Sequence, residues 1–514
     1  MVSGLWDCRS GELSPGAILI AVVALLVVTV SISIGFGWVG STGSETVDST
    51  DSETPSVAGA GNVSTAANSD VGDSQNDAAV SRETIHVAGN RQYCRYQVPE
   101  VREPDFTVEP EDGASGIQRA INSAEPGDLI YLEGGTYEMR STISIDGDGS
   151  EDDQITLAGK PGERPILDFS QMSAPNTDDP EFDFGAAVSV DGNYWTIRNV
   201  EVTESPGFGI RARGGENHLV FENVESHDNV LTGLALIESS HNEIRHSSFH
   251  HNYDAMNAGE HADGVGIKQG PDPEGKTANE NLVYCTDMYL NSDDGFDGYR
   301  SNDNDIFYSR AWENGKVNET TLAESGNGNG FKFGPHTASG HLVVGNLAWG
   351  NVRKEEGEYA QGTGFDYNGA EGPLILYHNT AWNNDMGFDF QNEGAVLINN
   401  LAVGNAVESR VWTSYPEEYN IFTTAEDGVS FQSTDPTDPG FLVPVPGSEP
   451  VDSGTAIEST VWETARSAPD IGALEASAEA ELEAEADENG TERNRDLGDA
   501  DAVRSAPSRV REVR

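Results

Sequence analysis

Gly330-Phe331-Lys332-Phe333, Gly364-Phe365-Asp366-Tyr367 and Gly387-Phe388-Asp389-Phe390 repeat one pattern, a glycine followed by apolar, polar and apolar residues. Upstream, Gly207-Phe208-Gly209-Ile210, Gly233-Leu234-Ala235-Leu236, Gly264-Val265-Gly266-Ile267 and Gly295-Phe296-Asp297 keep the frame with small or acidic middle residues. Side chains alternate faces along a strand, so the apolar pair points inward and the middle residue is expected to face solvent. If such strands stack about 4.8 Å apart, equivalent positions form columns. One column then holds Gly266, Asp297, Lys332, Asp366 and Asp389; a second, one residue before each glycine, holds Asp263, Asp294, Asn329 and Thr363.

Between these pieces lies a second series of strand-like segments. It includes Thr196-Ile197-Arg198-Asn199-Val200, Val220-Phe221-Glu222-Asn223-Val224, Leu282-Val283-Tyr284-Cys285 and Ile375-Leu376-Tyr377-His378. Most are followed by a corner asparagine: Asn229, Asn252, Asn291, Asn314, Asn351, Asn384 and Asn405. Close corners recur 21 to 23 residues apart, and wider gaps imply inserted loops. A period in the twenties with short strands and Asn/Gly corners reads as an all-β solenoid, a parallel β-helix. The leucine pattern of a leucine-rich repeat is missing. Ile117, Ala120, Ile121 and Ala124 share one helical face before Pro126-Gly127-Asp128 and the strand Leu129-Ile130-Tyr131-Leu132. That order predicts a helix capping the solenoid's N-terminal end.

The remaining chain divides by composition. Residues 1–40 carry an uncharged, largely apolar run from Pro15 to about Val39, long enough to cross a bilayer. Arg9 precedes it and no basic residue follows for a long way, so the bulk of the chain is expected outside the cell, held by an anchor or exported by a long signal. Residues 41–90 form a Ser/Thr/Asp-rich stalk that cannot bury a core. Residues 91–475 are the β-helix domain, and 476–514 an acidic, then mixed-charge, disordered tail. Cys94 and Cys285 allow a disulfide, and unpaired thiols are the equal alternative.

Against 87 acidic residues stand 29 basic ones, a net charge of −58 dispersed along the length. Self-repulsion of that size is relieved in strong salt, which points to a salt-loving source. Nucleic acid is excluded as a partner for so negative a surface.

Six lysines punctuate this acidic chain, and one of them, Lys332, lies in an otherwise uncharged Gly/Asn-rich stretch one coil beyond Asn291-Ser292-Asp293-Asp294-Gly295-Phe296-Asp297. Stacking brings Asp263, Asp293, Asp294 and Asp297 together in two adjacent coils. Four carboxylates without a Cys/His cluster suit a hard cation, calcium first. A cation beside Lys332 would favour the neutral amine, and hence a base. Solvated surface acids and a surface ion pair are the bland readings of the same residues.

The series Ala262-Asp263-Gly264, Asn291 to Asp297, Gly328-Asn329-Gly330-Phe331-Lys332 and Gly364-Phe365-Asp366 resembles polysaccharide lyase family nine. Leu376-Tyr377-His378-Asn379-Thr380-Ala381-Trp382-Asn383-Asn384 and the closing Pro469-Asp470-Ile471-Gly472-Ala473-Leu474-Glu475 are similar too. The resemblance implies a right-handed parallel β-helix of pectate lyase type that holds one Ca2+. It makes Asp263, Asp293, Asp294 and Asp297 metal ligands and Lys332 the base of a β-elimination on an acidic polysaccharide. Lys268, Arg300, Asn329 and Asp366 are candidate substrate contacts, and Trp312, Trp349 and Trp382 are expected to pack loops. The chain is expected to act as a monomer, outside the cell or at its surface. A glycoside hydrolase would use the paired acids but leave Lys332 unexplained, and a non-catalytic adhesin is the other alternative.

Overall fold

The computed structural model describes Ile85–His86, Cys94 and residues 96–476, apart from 175–184, 271–277, 355–361, 393, 412–418, 424–427, 458–461 and 464–467. All of these belong to one compact unit, Asp77–Arg514. The apolar run, most of the stalk and nearly all of the tail lie outside the described residues. The segment assigned to the stalk does include Ile85–His86, which pairs with Trp462–Glu463. Among the described residues no helix is long and apolar enough to cross a membrane.

Three parallel sheets of 11, 11 and 10 strands form the faces of a parallel β-helix. One coil shows the path: Asp305–Phe307 in the first sheet, Arg310–Trp312 in the second, Phe331–Lys332 in the third, and His341–Val344 back in the first. The strands anticipated after the corner glycines lie in the third sheet, and those anticipated before the asparagines lie in the first. The second sheet was not anticipated. Its strands, such as Asp287–Tyr289 and Thr380–Trp382, are three residues long with one buried apolar side chain each, too short for a periodic signal. The capping helix spans Gly113–Ile121 and buries Ile117, Ala120 and Ile121.

Inward residues stack in register. Phe365 lies between Phe331 (5.1 Å) and Phe388 (4.8 Å), with rings within 13° of parallel. The corner asparagines are equally regular. Asn291, Asn314, Asn351 and Asn384 each donate from Nδ2 to the next Oδ1, at 2.8 to 3.1 Å. A second donation, such as Asn351 Nδ2 to Ala311 O at 3.0 Å, completes the amide's bonding. Buried amides satisfied on both ends fix the corners without leaving polar groups unpaired. The glycine after each corner permits a close approach: a Cβ at Gly295 would sit 2.7 Å from Gly330 O, and one at Gly330 2.7 Å from Gly364 O.

Trp312 and Trp349 stack at 4.7 Å on the outside of the second sheet. Trp349 and Trp382 also pack against Phe441 of the C-terminal segment, so these rings support loops as anticipated. Cys94 is joined to Cys285 with their Cα atoms 5.3 Å apart, tying the N-terminal segment to the middle of the solenoid.

Candidate active and metal site

The two columns are present in the register anticipated. Gly266 aligns with Asp297, Asp297 with Lys332, Lys332 with Asp366, and Asp366 with Asp389. At the turn before them each side chain holds the next coil. Asp263 Oδ1 accepts from Asp294 N–H (3.3 Å), Asp294 Oδ1 from Asn329 N–H (3.0 Å), and Asn329 Oδ1 from Thr363 N–H (2.9 Å). These bonds orient the turn side chains and leave Oδ2 of Asp263 and Asp294 facing the neighbouring column.

Oxygens of Asp263, Asp294 and Asp297 lie within 4.8 Å of one another, and all three residues are buried. Exposure of this column was the expectation, and it is corrected: Asp297 is 3% and Lys332 7% exposed. Two long insertions also meet beside the cluster, at the same corner. Asp293 Oδ2 accepts from His261 N–H (3.1 Å) in one insertion and Oδ1 from Asn327 N–H (2.7 Å) in the other. Glu324 N–H donates to Ala258 O and links the two loops. Asp293 thus anchors the walls, and its carboxylate lies outside the group of three that could hold a metal.

Two ammonium groups meet the cluster. Lys332 Nζ donates to Asp294 Oδ2 at 2.7 Å and lies 3.6 Å from Asp297 Oδ2. Lys268 Nζ sits 2.8 Å from both Asp263 Oδ2 and Asp297 Oδ2. Burial acts to lower the Lys332 amine, but the charges of Asp294 and Asp297 outweigh it and hold the amine well above its ordinary value. Burial, then the Asp293 charge, pushes Asp294 well up, whereas Lys268 and Lys332 overcome burial at Asp297 and hold it low.

The cluster fits a cation by its own bonding. Asp297 Oδ1 is buried and accepts no hydrogen bond. An orphaned carboxylate oxygen in a group of hard donors is what a calcium ion would satisfy.

The other candidates separate. Asp366 stacks on Lys332, and burial, then the Asp389 charge, pushes it up to about 7. Asn329 is 3% exposed, and its side-chain oxygen accepts from Thr363 N–H and holds the turn. Arg300 lies over the Tyr299 ring at 5.0 Å and forms no ion pair with the aspartates among the described residues. Sequence reasoning missed Thr232, whose hydroxyl lies 3.1 Å from Asp263 Oδ2. Its place before Gly233, in the column of Asp263, was the available signal.

The parallel β-helix thus carries a buried carboxylate cluster with an adjoining lysine. The family model described as "Pel9A-like, right handed beta helix region" matches residues 108–406. Pectate lyase L of Dickeya dadantii (strain 3937) is 31% identical over 383 residues, covering 69% of this chain and 84% of that protein. Pectate lyase L of Paenibacillus polymyxa (strain SC2) is 30% identical over 349 residues, covering 62% and 71%. The crystal structure of pectate lyase Pel9A superposes with a TM-score of 0.60 at 28% identity, over 73% of this chain and 97% of that one. The chain belongs to the Pel9A-like right-handed β-helix family. It is an enzyme, a polysaccharide lyase of pectate lyase type.

Proposed function

We propose that the chain cleaves a polyuronate such as pectate by calcium-dependent β-elimination, with Lys332 as the base. The observation that carries this reading is Lys332 Nζ at 2.7 Å from Asp294, one rung from Asp297 in a buried carboxylate group. Asp263, Asp294 and Asp297 would hold the ion, with Asp293 fixing the loops around it. When bound, calcium would draw charge from a uronate carboxylate and acidify the C5 proton. Carboxylates committed to a cation no longer hold the proton on Lys332, and the amine can then take the C5 proton. The C4–O bond breaks, a C4–C5 double bond forms, and the departing oxygen is protonated by water. Lys268 stands beside the cluster to bind a uronate carboxylate, and Asp366 borders Lys332 on the far side.

The same reading places the enzyme outside the cell or at its surface, carried by the apolar run and stalk, acting as a monomer in strong salt. The Cys94–Cys285 bond supports an oxidising compartment.

The test is ultraviolet absorbance of the unsaturated product on adding polygalacturonate with calcium in strong salt. Rising absorbance, abolished by a chelator and by Lys332→Ala, is the expected result. Reducing ends without absorbance would make the protein a hydrolase, and neither signal would overturn catalysis on this polymer.

A further inference from the structure

We propose that Lys268 competes with the divalent cation for Asp263 and Asp297 and thereby sets the metal affinity of the site. The inference rests on the calcium reading above and concerns how loading is controlled. Lys268 ends the strand Val265–Lys268, two residues after Gly266, so its side chain starts on the outer face of the third sheet. From there it doubles back to place Nζ 2.8 Å from Asp263 Oδ2 and 2.8 Å from Asp297 Oδ2. These oxygens belong to two of the three residues able to hold the ion.

The route of the side chain is built. It passes over Gly266, where a Cβ would come 2.8 Å from Lys268 Cε and 3.5 Å from Asp263 Oδ2. Any larger residue at 266 would push the lysine stem off the cluster. The two lysines also differ in freedom. The Lys268 side chain is 25% exposed, whereas the Lys332 side chain is 9% exposed. Two ammoniums already balance most of the charge of three carboxylates. A dication entering the group meets the Lys268 charge a few ångströms away in a buried setting, where water screens it little. Loading therefore requires Lys268 to release both oxygens and swing outward on its unbranched stem.

The full chain serves for the test, with calcium itself as the probe. Calorimetric calcium titration and thermal midpoints in chelator and in saturating calcium are compared for wild type, Lys268→Met, Lys268→Gln, Lys268→Arg and the remote control Lys160→Met. Removing the competing charge is expected to tighten calcium binding by about tenfold or more in the Met and Gln variants. Both should be less stable in chelator, because their carboxylates repel one another, and both should gain more from calcium than wild type does. Lys268→Arg keeps the charge and should bind as wild type; Lys160→Met should leave calcium binding unchanged. Unchanged or weaker binding by folded Met and Gln variants would overturn the proposal and make Lys268 a tie that preorganises the ligands. No calcium binding by any form, wild type included, would overturn the metal reading and this proposal with it.

Discussion

The ammonium of Lys332 bonds Asp294, although its partner across the strand pair is Asp297. Nζ lies 2.7 Å from Asp294 Oδ2 and 3.6 Å from Asp297 Oδ2. The side chain leans back over the turn, toward the carboxylate whose other oxygen caps the backbone of Asn329. The amine is therefore aimed at the centre of the acid cluster by two neighbouring coils.

That placement predicts a specific failure for Lys332→Ala. Loss of a positioned base costs about 10²–10⁴-fold in turnover. Calcium binding, measured by calorimetry, should persist, since the three carboxylates proposed to hold the ion remain. A variant with near wild-type elimination rate would remove Lys332 from the chemistry.

Asp366 carries a pH prediction. Its folded-state value is raised to about 7 from 3.8, so the folded state holds a proton that the unfolded chain has released. Stability contributed by that proton is full below about pH 4 and is lost as pH rises through about 7. Asp366→Asn should flatten this segment of the curve and melt higher than wild type near pH 8 (about one unit above that value). Identical melting profiles for the two proteins across the range would contradict the assignment.

The phenylalanine stack should be costly to interrupt. Phe365 is fully buried between Phe331 and Phe388. Truncation to alanine should destabilise the domain by about 3–5 kcal/mol, read from urea unfolding. A loss below about 1 kcal/mol would mean that the neighbouring coils collapse into the gap.

Cys94 and Cys285 are 191 residues apart in sequence, so their bond closes a long loop. Cys285→Ser should cost about 2–5 kcal/mol in the same assay. Equal unfolding midpoints for variant and parent would show that the bond adds no stability.

The columns could be read before any coordinates because the strand period of two and the corner glycine together define register. Asp297, Lys332 and Asp366 follow from counting. The asparagine ladder was equally plain, since Asn314, Asn351 and Asn384 each precede a turn. Three things were hidden. Strands such as Asp287–Tyr289 show one inward side chain and no alternation long enough to see. The anchoring of both insertions on Asp293 runs through backbone amides of His261 and Asn327, and backbone donors leave no mark on residue type. The bridge of Lys268 to Asp263 and Asp297 depends on a side chain folding back along its own strand, which spacing alone does not specify.

The seam at Gly295 and Gly330 works as a gauge for the chemistry. With the backbone oxygen of the next coil where a methyl group would otherwise stand, the pitch there has no slack to widen or narrow. The interval between the acid cluster and the amine is thus dimensioned by the scaffold.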